Sequence, residues 1–149
     1  MAMVDPSRLR GNDIIGSMSR RCVVGFTLVV GLISGCSGPP YQLPDRNTPG
    51  VQAEERRLAA LLPDRLLWGS GTCKVRLLGR ENSLSFAWAD CDITPTAEHP
   101  SGGVSMPVQV DGDQVRKPAD GAGYTESVKR LFPRDLADAV LDEPERLRP

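Results

Sequence analysis

Aromatic side chains are scarce in this chain: two Trp, two Tyr and three Phe make up 5% of its 149 residues. So few large side chains can hardly enclose an empty apolar cavity, which weighs against a carrier of lipid or another apolar ligand. Histidine is scarcer still. His99 stands alone, and no G-x-S-x-G accompanies it. The nucleophile, base and orienting acid of a serine-type hydrolase are therefore not assembled in any motif. Neither phosphate-cradling loop, G-x-x-x-x-G-K-[ST] or G-x-G-x-x-G, is present. The four cysteines include no C-x-x-C. Positive charge is not in excess: 18 Lys and Arg against 19 Asp and Glu leave a net charge of −1. That excludes the overall basicity of a dedicated nucleic-acid binder. No apolar run approaches the 18 or so residues of a membrane-spanning helix.

Proline and glycine are plentiful, at 13 and 15 residues, which argues against a mostly helical bundle. A hydrophobic fraction of 40% argues for a packed domain rather than disorder. The length suits one domain and is short for two.

The N-terminal part reads as an address. Arg20 and Arg21 form a short cationic region, followed by an apolar stretch from Cys22 to Ile33. Twelve residues are too few to cross about 30 Å of hydrocarbon and are the right length for a signal peptide. The next positions, Ile33-Ser34-Gly35-Cys36, are aliphatic, small, small and Cys. This stretch resembles the lipobox of bacterial prolipoproteins. The resemblance covers residues 18 to 36 and implies cleavage between Gly35 and Cys36, with a diacylglyceryl group on the Cys36 thiol. Small residues at 34 and 35 would let the backbone enter a narrow protease site. One acyl chain binds a membrane only reversibly, whereas two anchor stably, at about 0.8 kcal/mol per buried methylene. The mature protein is then expected on the outer face of the bacterial cell membrane, anchored without spanning it. Asp5 and Asp13 are foreign to a cationic leader, so Met18 is the expected start. Ser19 to Val24 also resembles a twin-arginine export signal, with Val23 where Phe is usual and Gly25 where Lys is usual; the general secretory route is the favoured alternative.

Removal of residues 1–35 and lipidation of Cys36 leave Cys73 and Cys91. In an oxidising compartment two such thiols are expected to pair. The bridge would close 18 residues and contribute roughly 3 kcal/mol in the chain-entropy model. Residues 36–50, with four prolines and no periodicity, read as the lipidated Cys and a tether that could span about 43 Å if polyproline-like. From Cys36 onward acidic residues outnumber basic ones by three, so nothing draws this part flat onto an anionic membrane.

Residues 51–143 read as one α+β domain: a small antiparallel sheet of two hairpins, with an N-terminal helix and C-terminal helices packed on one of its faces. Thr48 and Pro49 start the first helix. Val51, Leu58, Leu61 and Leu62 share a face, while Glu54, Arg56 and Arg57 are expected in water. Two alternating runs flank Glu81-Asn82-Ser83. A three-residue loop there would set Arg80 opposite Leu84, Leu78 opposite Phe86, Arg76 opposite Trp88, Lys74 opposite Asp90 and Cys73 opposite Cys91. Val104, Met106, Val108 and Val110 line one side of a third strand, which Pro107 restricts to an edge or bulge. Asp111-Gly112 is the expected turn into a fourth strand. Tyr124, Val128, Leu131 and Phe132 suit a helix capped by Thr125. After Pro133, Leu136, Ala139 and Val140 suit a second one, and residues 144–149 are expected to fray as a tail. The segment Phe86 to Pro133 resembles small uncharacterised envelope lipoproteins of actinobacteria, without a motif that names a family.

Chemistry is thinly signposted. Asp90, Asp92, Glu98 and His99 are neighbours in sequence, and Asp111 and Asp113 bracket a glycine, but neither set has metal-ligand spacing. Asp135, Asp138 and Asp142 line a helix face that reads as solvated, with Arg134 able to pair with Asp138. Trp68, Phe86, Trp88 and Tyr124 could form a sugar-binding platform, though aromatics at such spacings more often form core. Arg76 beside Trp88 suggests a cation–π pair. The expectation is a non-enzymatic, membrane-anchored envelope module that binds another envelope protein, without cofactor, metal or nucleic acid. Its contacts would be made through the long loop Asp92 to Gly103. The alternatives are a small envelope hydrolase or wall-modifying enzyme, and an apolar-ligand carrier.

Overall fold

A computed structural model describes residues 40–97 and 100–149; the lipobox residues Ile33, Ser34, Gly35 and Cys36, together with Glu98 and His99, lie outside the described residues. The elements run α1 (Pro49–Leu61), α2 (Pro63–Leu66), β1 (Gly71–Glu81), β2 (Leu84–Ile93), β3 (Gly103–Asp111), β4 (Gln114–Arg116), a 3-10 turn (Gly121–Gly123), α3 (Tyr124–Leu131), α4 (Arg134–Asp142) and α5 (Pro144–Leu147). The four strands form one antiparallel sheet in the order β1-β2-β3-β4. The domain is α+β, as the alternating runs and the flanking helical patterns require.

Helices cover both faces of the sheet, not one. On one face Cys73, Val75 and Leu77 of β1, Ala87, Ala89 and Cys91 of β2, and Val108 and Val110 of β3 pack with Leu58 and Leu62 of the α1 region. On the other, Leu78, Phe86 and Trp88 pack with Val128, Phe132, Leu136, Ala137, Ala139, Val140 and Leu147. Side chains alternate across a strand, and β2 is apolar at both parities over its central residues. It therefore has two faces to bury, and a single layer of helices could cover only one.

The first hairpin keeps the expected pairing as far as Leu77 opposite Ala87, then shifts by one residue. Gly79, not Leu78, stands opposite Phe86, and Leu78 is the extra residue of a β-bulge. The turn shortens to Asn82-Ser83 between the paired Glu81 and Leu84, with Asn82 at φ 54°, a left-handed conformation that Asn tolerates. The second turn moves likewise: Asp111 pairs with Gln114, and Gly112 at φ 56° with Asp113 forms the loop. Glycine takes up that backbone at no steric cost.

β4 stops after three residues for a local reason. The Ile93 N–H donates to Gly102 O at 2.7 Å. Antiparallel pairs alternate between bonded and non-bonded, so Val104, Met106, Val108 and Val110 bond to β2 while Gly103, Ser105, Pro107, Gln109 and Asp111 point outward. Gln109 then meets Arg116. The next bonded step would set Pro107 against Pro118, and neither has an N–H to give. The edge placement expected for Pro107 is observed, with its ring buried.

The segments flanking the sheet, from residue 41 and to residue 147, are more ordered than their composition suggests. Thr48 occupies the cap position of α1 without a side-chain hydrogen bond, its carbonyl accepting from Gln52 N at 3.1 Å. Gly123, not Thr125, precedes α3, because the 3-10 turn brings the helix in two residues earlier. Residues 144–147, expected to fray, form α5: Pro144 opens the helix and Leu147 is fully buried in the second core. Tyr41 and Leu43, read as tether, pack against that same core.

Candidate functional site

Cys73 and Cys91 are disulfide-bonded across β1 and β2, with Cα atoms 4.0 Å apart. They occupy a non-hydrogen-bonded pair, the close-approach site of an antiparallel ladder. Both are buried, so the bridge acts as a staple under α1 and is sheltered from exchange.

The outer edge of β1 carries a polar clamp. The helical pattern places Glu54 in water; instead its carboxylate and that of Glu55 turn onto the sheet, their side chains 11% and 13% exposed. Ser85 Oγ donates to Glu54 Oε1 at 2.7 Å, and Arg57 donates to both Glu54 oxygens at 2.8 and 3.0 Å. The Arg57 hydrogen bond holds the Glu54 carboxyl below the ordinary carboxylate range against the opposing effect of burial, with Ser85 and Arg80 adding to it. An ionised, fully engaged carboxylate cannot serve as a general acid at neutral pH. Glu55 accepts the outward N–H of Leu77 at 3.0 Å and pairs with Arg46 at 3.3 Å, and Arg46 also reaches Val75 O at 3.5 Å. Above them the bulge releases the carbonyl of Leu78, which accepts from Tyr41 Oη at 2.9 Å. Gly79 makes room for that contact: a Cβ there would lie 2.7 Å from Tyr41 Oη. Burial, with Asp135 nearby, raises the Tyr41 pKa and keeps the phenol a donor. Glu55, Arg46 and Tyr41 thus engage backbone groups of an edge strand that would otherwise present them open. Beside them lies an open groove of about 290 Å³ lined by Gln52, Glu55, Arg56, Ala59 and Val75.

The aromatic residues do not form a platform. Phe86 and Trp88 are core, and Tyr124 is half-buried against the same core. Phe86 and Phe132 lie 5.7 Å apart between ring centroids. Trp88 Nε1 donates to Ser105 Oγ at 3.0 Å. The cation over Trp88 is Arg148, at 5.7 Å from the ring centroid, and not Arg76. Arg76 reaches across to donate to Arg148 O at 3.4 Å. Trp68 alone remains outside, 63% exposed.

Trp68 sits at the end of the sheet that also carries the β2–β3 loop. That loop has rigid stems: Thr94 N–H donates to Ser70 O at 2.8 Å, and Ile93 pairs with Gly102. Gly71 and Gly103 fit only because they lack side chains; a Cβ would lie 2.2 Å from Asp92 O and 2.5 Å from Cys91 O respectively. Thr94 is thus tied to Ser70 and Ile93 to Gly102, so the Asp92-to-Gly103 span read from composition belongs to the ladder at both of its ends.

Among the described residues no three His, Cys, Asp or Glu side chains gather as metal ligands. Asp135, Asp138 and Asp142 are exposed along α4, and Asp111 and Asp113 flank a turn. No helix among the described residues is long and apolar enough to cross a membrane. No family model matches the chain, and no curated protein or solved structure matches it either.

Proposed function

We propose that the chain is a lipoprotein of the bacterial cell envelope, anchored through Cys36 to the outer face of the membrane, and that its domain is a non-enzymatic module that binds another envelope protein. The observation that carries this reading is the buried Cys73–Cys91 disulfide. Such a bond forms and persists in oxidising compartments outside the cytosol. A lipobox delivers a chain to that same place, and the two features are independent in sequence. The carboxylates of Glu54 and Glu55 fit the non-enzymatic part, because both are engaged in holding α1 to the sheet. The rigid-stemmed loop of residues 95–101, at the same end of the sheet as the exposed Trp68, is the contact surface this reading favours.

Metabolic labelling with palmitate tests the anchor. The wild-type protein is expected to take up label and to weigh more than its amino acids from Cys36 onward, while Cys36→Ser takes up none. Equal labelling of the two rejects the anchor. Deleting residues 95–101 tests the surface: a cross-linked envelope partner should disappear while the thermal melt and the disulfide stay intact.

A further inference from the structure

The spacer between the anchor and the domain is much shorter than its composition suggests. Tyr41 is fixed at three points: its hydroxyl on Leu78 O at 2.9 Å, its carbonyl accepting from Arg146 Nη1 at 3.0 Å, and its ring in the second core beside Leu43. Five residue steps separate Cys36 from Tyr41. A fully extended chain covers at most about 18 Å in five steps, against the 43 Å or so of a fourteen-residue tether. Resting on the lipidation of Cys36 proposed above, we propose that the domain is seated on the head groups of the bilayer. The strap of residues 41–46 and α5 face the lipid, and the corner where Ile93 meets Gly102 is the part held farthest from it.

The register supports this placement. Tyr41 docks at Leu78, seven residues along β1 from Gly71, or about 23 Å at 3.3 Å per residue. Gly71 stands opposite Ile93, and Ile93 meets Gly102 on the far side of β2. This adds two strand spacings, or about 10 Å, across the sheet. The corner is thus distant from the anchored point both along the strands and across them. The surface around Tyr41 carries Arg46 and Arg146 paired with Glu55 and Glu143, so neutral and charged head groups are met without strong repulsion. A partner that uses the β2–β3 corner must approach from the side away from the bilayer.

Depth-dependent fluorescence quenching tests the seating. The full-length lipidated protein is reconstituted in vesicles of phosphatidylethanolamine and phosphatidylglycerol carrying a head-group spin label. Two single probes are compared in a Trp68→Phe background, Gln42→Trp and Ser101→Trp, the buried Trp88 giving a common baseline. Quenching at position 42 is expected to exceed that at position 101 at least threefold, and twelve Gly and Ser residues inserted before Tyr41 should erase the difference. Equal quenching at the two positions, or none at either in protein that floats with the vesicles, overturns the seating while leaving the anchor standing. Protein that carries no lipid and stays in the buffer removes the anchor itself, and the seating with it.

Discussion

On the α1 side of the sheet the strands offer Val75, Leu77, Val108 and Val110, the small Ala87 and Ala89, and a disulfide. The α1 region closes that layer with two fully buried leucines and a pair of engaged carboxylates. On the opposite side the strands offer Leu78, Phe86 and Trp88, and three helices close it with a larger apolar cluster. The first layer is aliphatic, without an aromatic ring, and is held in addition by covalent and polar links. The second relies on bulk. A domain of this size has limited core to share between two faces, and the difference shows two ways of completing a face when large side chains are few.

The comparison can be broken most forcefully from the bulky side. Phe132→Ala leaves a void against Phe86 and is expected to cost about 3–5 kcal/mol, read by denaturant unfolding. Leu147→Ala should cost about 2–5 kcal/mol. A loss under 1 kcal/mol would show that α5 is not part of this core. On the other side, Cys73→Ser with Cys91→Ser should cost about 3 kcal/mol. Because the two layers share no side-chain partners, the loss should add to that of Phe132→Ala within about 0.5 kcal/mol. Strong coupling would mean that the sheet itself transmits the damage between faces.

Smaller effects sharpen the polar half. The Glu54 pKa is lowered in the folded protein from an ordinary 4.5. Its contribution is therefore complete above that value and is lost as pH falls through the depressed folded value. Glu54→Gln should flatten the acid limb of the stability profile below about pH 4.5 and leave the alkaline limb alone. Tyr41 has the opposite sign: its pKa is raised from 10.0, so its contribution holds below pH 10 and fades as pH climbs through the raised value. Tyr41→Phe should cost about 1 kcal/mol at neutral pH and remove that alkaline loss.

Much of the sheet was legible in the sequence. Alternation gave β1 to β3 their spans, and the register that faced Cys73 with Cys91 holds from Gly71 to Leu77. The bulge was not legible, because an extra Leu78 beside Gly79 leaves the hydrophobic pattern unchanged, while the Tyr41 hydroxyl that donates to the Leu78 carbonyl is far away in sequence. The second apolar face was written in β2, where Phe86 and Trp88 interleave with Ala87 and Ala89. Charged Lys74 and Arg76 on the same face of β1 disguised it. Leu147 in a charged tail, and Pro144 at a position suited to a helix start, were the signals for α5. The inward turn of Glu54 and Glu55 left no sequence signal, since their partners are a strand serine and a backbone N–H that come near only in the fold.

The prolines at 107 and 118 have an effect beyond the hairpin they end. A neighbouring polypeptide trying to zip onto that flank would find the backbone of Gly103 and Ser105 and then a ring with no proton to share. Two rungs make a poor ladder, so this flank gives a second copy little with which to stitch itself on.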